Sequence, residues 1–162
     1  MFKINDYVIY SYRGICKITD IKEEGVTKTK RMHYILQPLR DEKATLMTPV
    51  ENDKVSLRPI ISREEAQELM DSLSSLEAEW ITNNRLRSTT FTSISRNGSL
   101  KDSLGVLIAF LRQQKILKKE NKRLTMPDDK ILKAIDTRIY EELAYALNVS
   151  PESIKREISK II

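Results

Sequence analysis

The sequence predicts an α+β chain of two domains, a small β-barrel over residues 1–61 and an all-α bundle over residues 62–162. Three observations carry this expectation. Apolar residues alternate with a period of two at the start, at Phe2, Ile4, Val8 and Tyr10. Short β-rich runs broken by turn residues then continue to about residue 60. After Pro59 the apolar spacing changes to three and four, as on one side of a helix. At 162 residues, 40% hydrophobic and 31% charged, the chain has enough apolar material for two modest cores. Gly 4 and Pro 5 are too few for a fibrous or low-complexity protein.

The strands follow from local chemistry. Arg13-Gly14 supplies a turn, because glycine enters positive φ at little cost. Ile15-Cys16-Lys17-Ile18-Thr19-Asp20-Ile21 is a second β-rich run, and Glu23-Glu24-Gly25 breaks it. Met32-His33-Tyr34-Ile35-Leu36 and Ala44-Thr45-Leu46-Met47-Thr48 give two more, with Pro49 closing the last, and Val55 to Ile60 offers a fifth. Four or five short strands with tight turns suggest an SH3-like or Tudor-like barrel.

In the second part, Ser62 is placed to cap a helix whose first turn holds Glu64 and Glu65. Ala66, Leu69, Met70 and Leu73 follow at helical spacing, and Ser72 to Ser75 offers a break. A second helix is expected from Leu76 to about Ile94, with Trp80 near its start and Asn97-Gly98 in the turn after it. A third carries Leu100, Leu104, Leu107, Ile108 and Leu111. Pro127-Asp128-Asp129 suits a helix start, and the fourth helix aligns Ile131, Leu132, Ile135, Ile139, Leu143 and Leu147 on one stripe. Asn148-Val149-Ser150-Pro151 turns into a last short helix, residues 151–161.

Composition narrows the function. The single Cys16 allows no internal disulfide and no cysteine cluster, and the single His33 makes a metal site improbable. His33 reads as a structural strand residue. No Gly-rich phosphate loop, nucleophile set or spaced carboxylate pair is present, so neither a cofactor nor enzyme activity is expected. Met1 to Asp6 has no apolar signal core, and the longest apolar run, Leu104 to Leu111, is far below the roughly 20 residues a membrane span needs. A reduced, cytoplasmic protein follows.

The net charge of +5 is unevenly spread. Residues 62–79 hold one arginine against six acids. Residues 80–123 hold ten cations (Arg85, Arg87, Arg96, Lys101, Arg112, Lys115, Lys118, Lys119, Lys122 and Arg123) against Asp102 and Glu120. Such a block reads either as a phosphate-binding face or as a solvated helical surface. Trp80, the only tryptophan, likewise has two readings: a wedge stacking on bases near Arg85 and Arg87, or a core anchor. Residues 143–160 imitate a helix-turn-helix. Their second helix mixes Glu152 and Glu157 with Lys155, Arg156 and Lys160, a balance that fits a hairpin closing the bundle better than a DNA reader.

The order of these elements resembles the CarD/CdnL transcription regulators, whose N-terminal module is similar to the RNA polymerase-interacting domain of the transcription-repair coupling factor. The likeness is carried by Phe2-x-Ile4-x-Asp6-x-Val8-x-Tyr10, by Gly14-Ile15-x-x-Ile18-x-x-Ile21, by Tyr34-Ile35-Leu36 and by Thr45-Leu46-Met47-Thr48-Pro49 with Asn52. Trp80 with Arg85 and Arg87, the Asn97-Gly98-Ser99 turn, Leu104 to Arg112 and Met126 to Leu147 continue the family order. Departures are Asn5 and Ser11, where the family usually has glycine and proline, and Thr82 and Asn83, where arginines are common.

The resemblance implies a bacterial transcription regulator. Its barrel would dock on the β-subunit of RNA polymerase through Tyr34, Thr45, Leu46 and Met47, by strand pairing with side-chain contacts. Met47 stands where some members have arginine, which implies an apolar contact. The helical domain would contact promoter DNA without sequence preference, with Trp80 in the minor groove at the upstream fork and Arg85 and Arg87 on the backbone. The protein is expected to act as a monomer and to modulate open-complex stability. Two alternatives stay open: a free-standing repressor reading DNA with residues 143–160, and a protein–protein adaptor without DNA contact.

Overall fold

The computed structural model describes residues 1–26, 28–52 and 57–162, which form two compact units, Met1–Ile60 and Ile61–Ile162. The first is a five-stranded antiparallel sheet: β1 (Tyr7–Tyr10), β2 (Gly14–Glu24), β3 (Arg31–Pro38), β4 (Leu46–Pro49) and β5 (Leu57–Pro59), in the order β4-β3-β2-β1-β5. The order is a meander with β5 returning to β1, so connections stay short. Val55 and Ser56 of the expected fifth strand lie outside the described residues.

Strand alternation assigns the two faces. Val8, Cys16, Ile18, Tyr34 and Leu36 are buried together, with Phe2, Ile21, Leu46 and Val50 packed around them. Gly14 takes φ 80 at the turn between β1 and β2, and Gly25 takes φ 131 just beyond β2, as the turn residues require. The expected alternation from Phe2 fails before Tyr7. Asp6 Oδ2 accepts from Lys3 N at 2.8 Å, and Asn5 adopts φ 75, so the chain turns there and leaves Ile4 exposed.

The second unit holds α1 (Arg63–Asp71), α2 (Asn84–Asn97), α3 (Leu100–Lys119), α4 (Met126–Leu147) and α5 (Pro151–Ser159). Ser62 and Glu65 form a reciprocal capping box at α1, and Ser99 with Asp102 does the same at α3. Glu142, buried on α4, accepts from Ile61 N at 3.2 Å and fixes where the helical unit begins. Gly98 ends α2 at φ −74. It is needed for space rather than for a left-handed turn, since a Cβ there would stand 2.6 Å from the Ile94 carbonyl oxygen. The left-handed cap instead falls on Asn148, at the end of α4.

Leu104, Leu107, Ile108 and Phe110 of α3 meet Ile131, Ile135, Ile139 and Leu143 of α4 in the core. Ile154 and Ile158 of α5 are buried in the same cluster, so this helix closes the bundle. One expectation is corrected here. The second helix starts at Asn84, not Leu76. After a single 3₁₀ turn at Leu73–Ser75, residues 76–83 run as an irregular strap, and Trp80 lies on that strap. No helix is long and apolar enough to cross a membrane among the described residues.

Candidate functional site

Two regions hold the residues singled out by sequence. The first is β4, which ends the sheet. Val50 N donates to Met32 O at 2.9 Å, which makes 32 and 50 a hydrogen-bonded pair. The β3–β4 register sets Tyr34 opposite Thr48, Ile35 opposite Met47 and Leu36 opposite Leu46. Hydrogen-bonded pairs recur every second residue in an antiparallel ladder. Thr48 and Leu46 therefore turn their backbone groups towards β3, while Met47 and, beyond the strand, Thr45 turn theirs outward, along an edge that no other strand pairs with among the described residues.

The side chains divide in the same way. Leu46 packs on the core, while Met47 is 51% exposed and Thr45 is exposed. Tyr34 requires a correction: it is no surface contact. It is 3% exposed, its hydroxyl accepts from Phe2 N at 3.0 Å, and its ring stands edge-on to Phe2 with centroids 6.2 Å apart. Strand alternation puts it on the inner face with Leu36.

The second region surrounds Trp80. The indole is partly buried, edge-on to Phe110 at 5.4 Å and to Phe91 at 6.1 Å between centroids. The Arg87 guanidinium lies over its ring, 4.4 Å from the centroid. Core anchoring and partial exposure thus coexist in one side chain. Arg85, two residues before Arg87 on α2, is exposed and makes no ion pair among the described residues. It lines a cleft of about 360 Å³ with Ser88, Thr89, Thr125 and Pro127, between the starts of α2 and α4.

Arg87 departs from the expected phosphate contact. Its side chain and that of Asp128 are each 4% exposed, with Nη2 to Oδ2 at 2.7 Å and Nε to Oδ1 at 2.9 Å. Nη1 donates to Ile81 O at 2.8 Å and Thr82 O at 3.3 Å, and Nη2 also donates to Asn84 Oδ1 at 2.9 Å. The guanidinium's five donors are thus all engaged inside the protein, and none is left for DNA. Asp128 receives a further bond from Thr125 Oγ1 at 2.8 Å. Burial works to raise the Asp128 carboxyl, but the hydrogen bonds from Arg87 and Thr125 and the Arg87 charge outweigh it and hold it below the ordinary aspartate range.

Thr82 and Asn83 are likewise occupied: the Thr82 carbonyl serves Arg87, and Asn83 Oδ1 caps α2 by accepting from Leu86 N at 2.9 Å. The ten-cation block is not uniformly available: Arg87 is buried in its ion pair, while Lys101 and Lys118 stand near opposite ends of α3, about 26 Å apart at the helical rise. Lys115 Nζ is bound to Ile162 O at 2.8 Å, and Lys122 pairs with Glu120 at 3.4 Å. Sequence reasoning missed Asp128 as the partner of Arg87. They are 41 residues apart, and Asp128 in sequence shows only the features of a helix start.

Elsewhere, Cys16 is fully buried, and burial, only partly opposed by Arg13, pushes its thiol up to about 11. No group of three or more histidine, cysteine or acidic side chains is placed to hold a metal among the described residues.

Residues 2–61 match the CarD-like/TRCF RID domain family. No curated protein matches the chain. The match spans the whole antiparallel sheet, and the sheet followed by five helices makes the chain α+β, with a Tudor-like first part. Residues 2–61 are thus similar to the CarD-like/TRCF RID domain family.

Proposed function

We propose that the chain is a non-enzymatic, cytoplasmic transcription regulator. It docks on the RNA polymerase β-subunit through the free edge of β4 and modulates open-complex stability through promoter DNA held near Trp80 and Arg85. The observation that carries this reading is the outward edge of β4 within a domain of the polymerase-interacting family. The edge presents the Met47 and Thr45 backbone beside an exposed, adaptable methionine side chain. Pro49, which has no N–H, marks the end of that edge.

On the helical unit, Trp80 offers part of an indole and Arg85 an exposed cation at the same end of α2. A monomer tethered to polymerase needs little DNA affinity of its own, since tethering raises the effective concentration. One stacked ring supplies about 1–3 kcal/mol, and about 1.4 kcal/mol shifts the closed-to-open balance tenfold.

Met47→Pro tests the docking. It removes an outward N–H while leaving the β3 ladder intact, a substitution that edge strands tolerate. In a pull-down with the polymerase β-subunit, the parent chain binds and Met47→Pro does not. Equal recovery of both refutes docking at this edge. Trp80→Ala and Arg85→Glu, tested on open-complex lifetime, check the DNA contact, and unchanged lifetimes for both refute it.

A further inference from the structure

Residues 76–83 are neither helix nor strand, so what fixes the strap's shape is its outside contacts. Three are evident. Leu76, Ala78 and Ile81 pack on the helical core. Gly105 on α3 lets the strap lie close, because a Cβ there would stand 3.1 Å from the Glu77 carbonyl oxygen. Arg87 holds the carbonyls of Ile81 and Thr82, immediately after Trp80, and lays its planar guanidinium over the indole. The plane of that guanidinium is set in turn by the two bonds it donates to Asp128, which sits in the first turn of α4.

We propose that Arg87 and Asp128 are positioning residues for Trp80. Together they fix the plane in which the indole meets DNA, and Arg87 makes no phosphate contact itself. The proposal rests on the reading of Trp80 as a DNA-contacting residue. A lysine at 87 would keep the positive charge, and with it most of a phosphate-contacting role, but it would lose the planar fork that matches a carboxylate and stacks on a ring. Charge and positioning are therefore separable.

The test uses the full chain and its single tryptophan as the probe. Acrylamide quenching of Trp80 emission in the free protein reads positioning, and the lifetime of open complexes formed by bacterial RNA polymerase holoenzyme on a promoter duplex reads its use. Arg87→Lys and Asp128→Asn are expected to raise the population of released indole about tenfold. They should also bring the lifetime to that measured with Trp80→Ala, with β-subunit binding retained. Gly105→Val leaves the ion pair in place but displaces the strap at Glu77, and it should raise quenching even where a pair variant fails to fold. Unchanged quenching in folded Arg87→Lys and in Gly105→Val overturns the proposal. So does raised quenching with the parent lifetime, when Trp80→Ala alters that lifetime. If Trp80→Ala leaves the lifetime untouched, the DNA reading is what has failed, and quenching alone then decides whether the pair positions the ring.

Discussion

Asp128→Asn removes one charge from a pair in which both side chains are 4% exposed, leaving the Arg87 guanidinium buried without a counter-ion. The change conserves shape, so the loss is electrostatic. Breaking a buried pair by removing one partner costs about 3–5 kcal/mol. Unit Ile61–Ile162 has the size of a domain whose total stability is about 5–15 kcal/mol, so the loss is roughly 30–50% of a mid-range value. With a urea slope of about 2 kcal/mol/M, a 4 kcal/mol loss lowers the unfolding midpoint by about 2 M. The assay is urea unfolding of the full chain followed by Trp80 emission, which reports on the unit carrying the change. Arg87→Met combined with Asp128→Leu removes both charges and should lose less than Asp128→Asn alone. A midpoint shift below about 0.5 M would equate to roughly 1 kcal/mol, the value of an exposed pair. That result would refute the claim that this contact organises the helical unit.

Because the folded Asp128 carboxyl is held below its ordinary value, its stabilising effect is complete above about pH 4 and fades as pH falls through the folded value. The stability gap between parent and Asp128→Asn should therefore narrow on acidification, as measured by urea midpoints across that range. Cys16, buried with its thiol raised to about 11, should resist a thiol reagent at neutral pH until denaturant is added; rapid labelling of the native chain would contradict that burial. Ile158→Ala, at a fully buried position of α5, should cost about 2–5 kcal/mol in the same urea assay, whereas Lys155→Ala, exposed on that helix, should cost under about 0.5 kcal/mol. Gly98→Ala should destabilise by about 1–3 kcal/mol, because the new methyl meets the Ile94 carbonyl rather than a movable side chain.

Much of the fold was legible because it depends on local rules. Gly14 in its positive-φ turn, the Ser62 cap and the α4 stripe are properties of neighbouring residues, and each stands where the sequence placed it, whereas the period-two run from Phe2 holds only from Tyr7 onward. The division of character near residue 60 is also local, since it is a change of apolar period. Side-chain direction was less accessible. The sequence marks Tyr34 as a strand residue, but which face it takes depends on register with β2 and β4, and that register buries it. The strap at 76–83 misled for another reason. Its apolar residues at Leu76, Ala78, Trp80 and Ile81 admit a helical reading, yet the backbone is held in an irregular course by partners in α2 and α3.

The sequence by itself determined two parts of different secondary structure, one sheet-forming and one helical, with a lone indole near a cluster of cations. Only the tertiary structure decided which cation stays free. Arg85 and Arg87 are two residues apart on one helix and identical in chemistry, but that step turns a side chain to the opposite side. Arg85 meets solvent, while Arg87 meets a carboxylate 41 residues away that no local pattern connects to it. Burial without water makes that meeting strong, and so converts an apparent phosphate contact into the internal support of the indole.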